Sequence, residues 1–214
     1  MKPLLAYAVL VMLIGCSQPA ELLKPGSWRA SIEMQGRELP FTLDITANGS
    51  GVPTIEIRNA TERIPLDVIR ITPDSLRLMF PTFDTGINAA IQGDSLIGEY
   101  VVYSADNYRL PFRAAAGQNH RFDQRQPATQ DFSGTYDVLF FNDKNTVQAM
   151  GVFEQNGNSA SGTFLTPTGD YRFLEGNVEG DTLWLSGIDG DHLFIFNAGK
   201  SGDTLRGRQW LGRS

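Results

Sequence analysis

The sequence predicts an all-β chain: two tandem antiparallel meander barrels from an internal duplication, the second lacking its last strand. Three observations predict it. Apolar residues after residue 20 recur with period two, in short runs bounded by Gly, Asn, Asp and Pro. Three strings in the first half reappear in the second half in the same order and at nearly one spacing. The chain after the last matched string is much shorter in the second copy than in the first. Composition agrees: 22 Gly, 13 Phe, 6 Tyr and 3 Trp in 214 residues favour strands and tight turns over helices.

In the first half the alternating sets are Trp28, Ala30, Ile32 and Met34; Phe41, Leu43 and Ile45; Ile55 and Ile57; Ile64, Leu66 and Val68; Leu76, Leu78 and Phe80. Leu96, Gly98, Tyr100 and Val102 follow, and Tyr108, Leu110 and Phe112 close it. Together these make about eight strands, enough to close a meander on itself and remove its edges. Residues 114–130 are polar, carry one Pro and do not alternate, which marks a linker. Alternation resumes with Tyr136, Val138 and Phe140 and runs on to Leu205–Trp210.

The matched strings are Gly26-Ser-Trp28 with Gly134-Thr-Tyr136, Asp74-Ser-Leu76-Arg-Leu78 with Asp181-Thr-Leu183-Trp-Leu185, and Gly93-Asp-Ser-Leu-Ile-Gly98 with Gly202-Asp-Thr-Leu-Arg-Gly207. Their offsets are 108 (28 to 136), 107 (76 to 183) and 109 (98 to 207). Gly-Asp supplies the positive φ of a tight hairpin. After Gly98 the first copy continues through Asn107-Tyr-Arg-Leu-Pro-Phe112, whereas Gly207 is followed by only seven residues. The second barrel is therefore expected to be open on one edge, or the natural product to continue beyond Ser214.

The expected organisation is a leader over 1–15, a lipidated tether over 16–25, a first barrel-like repeat over 26–116, a linker over 117–130 and the incomplete repeat over 131–214. In the leader, Lys2 precedes an apolar run from Leu4 to Ile14 that is too short to span a bilayer. The run ends in Leu13-Ile14-Gly15-Cys16, and Cys16 is the only cysteine of the chain. A thiol after a small residue at this point resembles the lipobox of bacterial lipoproteins. That resemblance implies cleavage before Cys16, acylation of Cys16, and a membrane anchor worth ~0.8 kcal/mol per buried methylene. The rest is acidic, with a net charge of −6 for the whole chain, so its own charge does not hold it on an anionic leaflet. The expected location is a periplasm-facing membrane, and Ser17 rather than an acidic residue after the cysteine favours the outer membrane.

The charge and the pI near 4.9 exclude a basic nucleic-acid-binding face. One Cys and two His exclude a disulfide framework and a Cys/His zinc cluster. Cys16 lies in a leader without a neighbouring base, so it is not read as a catalytic thiol. Asp189 and Asp191 flank Gly190, with Asp181 nearby; they are read either as a Ca2+-binding cluster or, preferably, as a solvated turn between two strands, with Asp84 at roughly the equivalent turn in the first copy. His192 and His120 have no nucleophile to serve. No cofactor, metal or catalytic residue is expected. The candidate ligand- or partner-binding residues are Tyr171, Arg172, Trp184 and Asp189. Alternation puts Tyr171 and Phe173 on one face and Arg172 on the other, where it grips a partner carboxylate or pairs with Glu154 or Glu175. Trp28, Trp184 and Trp210 are expected in barrel cores or mouths.

The string Gly162-Thr-Phe-Leu-Thr-Pro-Thr-Gly-Asp-Tyr-Arg-Phe-Leu-Glu-Gly176, then Leu185-Ser-Gly-Ile-Asp-Gly190 and His192-Leu-Phe194, resembles the region upstream of the thioredoxin domain in TlpA-type thioredoxin-like disulfide reductase lipoproteins. The leader, Asn59-Ala-Thr-Glu-Arg63 and Leu39-Pro-Phe41 carry the same resemblance. The resemblance implies an accessory β module of an envelope redox system, with a thioredoxin-like domain or a client protein as partner. Members of that group carry a Cys-x-x-Cys pair, which this sequence lacks, and thiol–disulfide exchange needs both thiols. The chain is therefore expected to be non-catalytic by itself. The alternative reading is a lipocalin-like barrel that binds a small hydrophobic ligand.

Overall fold

The computed structural model describes residues 22–49, 51–105, 108–118, 120–141, 146–202 and 204–213. Cys16 and the proposed leader lie outside the described residues. Every regular element among the described residues is a strand. The first eight are β1 (Gly26–Met34), β2 (Arg37–Thr46), β3 (Thr54–Asn59), β4 (Glu62–Ile71), β5 (Ser75–Met79), β6 (Thr85–Gln92), β7 (Ser95–Val102) and β8 (Tyr108–Ala116). Each pairs antiparallel with the next, and β8 returns to pair with β1, so the barrel closes. Its interior holds Trp28, Ile32, Phe41, Leu43, Ile57, Leu78, Tyr100 and Phe112, all fully buried. Strict alternation produces this: each strand turns one apolar set inward and leaves polar residues outside.

The second copy comprises β9 (Gly134–Phe141), β10 (Thr146–Asn156), β11 (Ser159–Thr166), β12 (Gly169–Asp170), β13 (Leu174–Glu179), β14 (Thr182–Ile188), β15 (His192–Ser201) and β16 (Thr204–Arg213). Its seven-strand path runs β9-β10-β11-β13-β14-β15-β16, with the two-residue β12 pairing only β11. Among the described residues β9 pairs only β10, and β16 pairs only β15. The second barrel is thus incomplete.

Pairing registers carry the duplication into three dimensions. Trp28 faces Leu43 across β1–β2, and Tyr136 faces Gly151 across β9–β10, both at the offset of 108. Ala89 faces Gly98 across β6–β7, and Ala198 faces Gly207 across β15–β16, both at 109. A Cβ on Gly98 would run into the Asn88 carbonyl, and one on Gly207 would run into the carbonyl of Asn197, the residue at the same offset. By this correspondence β9 matches β1 and β16 matches β7. Among the described residues no strand corresponds to β8.

The two copies are locked together. The β14–β15 turn enters the end of the first barrel, where Ile188, Leu193 and Ile195 join its apolar core. The Gly190 carbonyl accepts hydrogen bonds from the Tyr100 hydroxyl (2.7 Å) and the Thr85 hydroxyl (2.6 Å). Burial pushes the Tyr100 hydroxyl well above the ordinary tyrosine range, so it stays a donor. Gly190 has φ +114°, and a Cβ there would lie 2.5 Å from the Phe80 ring. Only glycine meets both demands.

Gly190→Ala is expected to lower unfolding stability by about 3 kcal/mol, combining backbone strain and overpacking. Tyr100→Phe, which leaves the carbonyl to Thr85, is expected to lower it by about 1 kcal/mol. Urea unfolding midpoints check both. Equal midpoints for Gly190→Ala and wild type would mean the turn is not seated in the first barrel.

Candidate functional site

The open side of the second barrel holds a cavity lined mainly by aromatic and apolar side chains. Between β9 and β16 lies a cavity of about 400 Å³, within the range of small-molecule pockets. Tyr136, Val138 and Phe140 line it from β9; Leu205, Gly207 and Gln209 line it from β16. Phe153, Phe164, Leu185 and Phe196 form its back wall. These residues face inward because alternation on each strand directs one set to the interior.

The aromatic wall is continuous. Phe164 lies 4.7 Å from Phe196, 5.1 Å from Phe140 and 5.3 Å from Phe153, between ring centroids. Gly151 and Gly162 admit the Phe153 ring, since a Cβ at either would meet it at 2.9 and 2.5 Å. Outside the wall, apolar groups stay in solvent: Phe141 is 70% exposed and Leu139 51%. Gln209 Oε1 is buried and lacks a hydrogen-bond donor, a costly state for an acceptor.

The residues singled out in sequence distribute differently. Tyr171 joins the aromatic wall, 4.9 Å from Phe194 and 5.3 Å from Phe196. Phe173 does not share its surroundings; it is 48% exposed and borders a separate groove with Thr61, Val152 and Thr163. The expected alternation fails here because β12 and β13 form one interrupted strand, and Arg172 between them adopts φ +55°. That bulge rotates the chain by one face. Arg172 ion-pairs with Glu62 of the first barrel rather than with Glu154 or Glu175. The hydrogen bonds from its guanidinium to Glu62 raise its pKa, and burial only partly opposes this.

Asp189 accepts from the backbone N–H groups of Asp191 and His192 and lies 3.0 Å from His192 Nδ1. Its carboxylate shapes the turn that enters the first barrel. Among the described residues no group of three His, Cys, Asp or Glu side chains is arranged to hold a metal. Trp184 lies on the outer face of β14 against Phe122 of the linker, centroids 5.7 Å apart. Trp28 is buried in the first barrel and donates its indole N–H to the Lys24 carbonyl at 2.9 Å. Trp210 packs on the outside of β16 under the Arg37 guanidinium, 4.8 Å away. None of these three lines an aromatic platform with the others. His120 sits 3.7 Å from Asp123 in the linker, remote in sequence from His192 and its Asp189 partner.

Sequence reasoning missed Arg121. It reads as a polar linker residue, yet it is 5% exposed. Its guanidinium donates to Asn59 Oδ1 (2.9 Å) and the Arg58 carbonyl (3.1 Å), and lies 3.2 Å from the Glu175 carboxylate. Glu175 also accepts from the Ala60 N–H at 2.6 Å. Burial lowers the Arg121 pKa to about 10, with Glu175 opposing the fall, so it remains a cation at neutral pH. The linker is therefore a rivet between barrels, placing the open side of the second barrel on a fixed support. Comparison with family models, with curated proteins and with solved structures finds no match to this chain.

Arg121→Met is expected to cost about 3 kcal/mol of stability, because it takes the buried donor from Asn59 Oδ1 and the Arg58 carbonyl and removes the nearer of the two cations facing Glu175. Acid should weaken the same region. The guanidinium of Arg29 holds Glu38 below its usual pKa; burial would raise Asp44, but hydrogen bonds from Ser27 and Arg58 outweigh it and hold Asp44 low. Both groups contribute stability above their unfolded pKa values, near 4, and lose it as pH falls through the lower folded values. Urea midpoints are expected to hold from pH 7 to about 5 and to fall below about pH 4. Asp44→Asn should flatten part of that fall, and an unchanged acid limb would remove Asp44 from the account.

Proposed function

We propose that this chain is a non-catalytic, lipid-anchored accessory module of the cell envelope that docks a protein partner through the open side of its second barrel. One observation carries the docking step. β1 and β7 of the first copy both pair with β8, whereas among the described residues their counterparts β9 and β16 have one neighbour each. Unpaired strand edges flanked by exposed apolar side chains are templates for another chain. The lipobox-like Leu13-Ile14-Gly15-Cys16 supports the anchor, and the periplasmic face of an outer membrane is the proposed location. The resemblance to the pre-thioredoxin region of TlpA-type lipoproteins suggests the partner class, a thioredoxin-like domain or its client. In this reading the first barrel is a filled support and the second is the receptor.

A second reading rests on a different observation. The cavity of about 400 Å³ is walled by aromatic rings and suits a small hydrophobic molecule, as in lipocalin-like binders. Filling it from within with Ala198→Phe would block such a ligand.

Two measurements test the primary reading. Radioactive palmitate should label the wild-type protein in cells and not Cys16→Ala; label surviving that substitution would refute the anchor. A photo-crosslinking residue at Phe140 should capture a thioredoxin-like-domain protein or its client in cells, while one at Ile97 on the outside of the first barrel should not. Equal capture at both positions would refute docking at the open side.

A further inference from the structure

We infer that the open side of the second barrel accepts one extended peptide strand, antiparallel to both β9 and β16, with a large aromatic residue opposite Gly207 and acidic residues on either side of that aromatic. The inference rests on the docking reading above and names the chemistry of the partner segment.

Direction follows from strand number. Seven strands in an alternating meander leave β9 and β16 running the same way. Direct closure between them would be a parallel pair, whereas one inserted strand is antiparallel to both edges. The first barrel shows this arrangement, since β8 is antiparallel to both β1 and β7.

Register follows from the duplication. In the first copy Phe112 faces Gly98 on one side and Ile32 on the other. The corresponding positions are Gly207 and Phe140, and both line the cavity. Phe112 is fully buried over a glycine with no side chain to exclude it. Gly207 offers the same space. Two residues further along the strand Ala114 faces Leu96 and Ala30, which correspond to Leu205 and Val138. Ala116 then faces Trp28, which corresponds to Tyr136. The inward pattern is therefore aromatic, small, small at every second position. On the other side of the aromatic the inward residue faces Gln209, whose buried, unpartnered Oε1 calls for a donor.

Charge follows from the outward positions. Those flanking the aromatic lie beside Arg208 and Arg206 of β16, as Pro111 and Arg113 lie beside Glu99 and Ile97 in the first copy. Both arginine side chains are exposed, and no ion pair to either is found among the described residues. They form a cationic edge on an acidic chain. A guest carrying Asp or Glu at those two positions meets this edge with opposite charge, while β8 itself, bearing Arg109 and Arg113, does not.

The test uses a fluorescein-labelled synthetic peptide of residues 108–116 carrying Arg109→Glu, Pro111→Glu and Arg113→Glu, titrated against the purified full chain by anisotropy. Saturable binding is expected, about tenfold tighter than that of the parent peptide. Phe112→Ala in the acidic peptide should weaken binding by about tenfold or more, through loss of the ring over Gly207. Arg206→Glu with Arg208→Glu in the chain should reverse the preference between the two peptides. Both positions are exposed, and an unchanged urea midpoint confirms that the variant is folded. No saturable binding of the acidic peptide, indifference to Phe112→Ala, or indifference to charge reversal would each overturn the inference. Parent and acidic peptides binding equally well would overturn its acidic chemistry and leave docking standing. An anilinonaphthalene sulfonate dye bound at the open side while neither peptide binds would overturn the strand and docking together, in favour of the small-ligand reading.

Discussion

Strand parity is the constraint on which the architecture turns. An antiparallel meander closes with antiparallel pairing throughout only when its strand number is even, because the first and last strands must run in opposite directions. The first copy has eight strands and closes; among the described residues the second has seven on its path and does not close. Everything distinctive about the second barrel follows: two unpaired edges that run the same way, an aromatic interior reached from the side, and apolar side chains left in solvent on β9. Proteins usually suppress such edges. Here the edge is flanked by the exposed Phe141 and Leu139, which raises the cost of leaving it uncovered.

The junction between copies gives that open side a fixed setting. The β14–β15 turn stops one end of the first barrel through Gly190, and Arg121 ties the linker to both barrels through Arg58, Asn59 and Glu175. Ser186 adds a hydrogen bond to the Pro40 carbonyl at 2.6 Å, and Asn59 one to the Ile188 carbonyl at 2.8 Å. These groups are buried or nearly so, where a hydrogen bond lost is not replaced by water. The duplicated units thus differ: the first is a closed barrel that receives a turn of the second, and the second is an open sheet among the described residues.

Divergence is visible at matched positions inside the barrels. Phe41 and Leu43 of β2 correspond to Ala149 and Gly151 of β10, while Ile32 and Ala30 of β1 correspond to Phe140 and Val138 of β9. Bulk moved from the second strand to the first, and the rings at Phe140, Phe153 and Phe164 now form a wall instead of a solid core. The same exchange places glycines where aromatic rings pass close to the backbone.

The sequence by itself determined the fold class, the approximate strand count of each copy and the lack of a β8 counterpart up to Ser214. Alternation and hairpin turns are local signals, and a repeat offset needs no coordinates. It also read Gly190 and its flanking aspartates as a turn between two strands, but as a solvated one, whereas Asp189 and Gly190 are buried against the first barrel. It misread Phe173 because the positive φ of Arg172 inverts the face of everything after it, and a one-residue bulge leaves no mark in the hydrophobic pattern. Only the tertiary structure paired Arg172 with Glu62, sent Gly190 into the first barrel, buried Arg121 and lined one cavity with both Gly207 and Phe140. Each of these joins residues far apart along the chain. Local periodicity reports which way a side chain points, and only the closing of the sheets reports what it meets there.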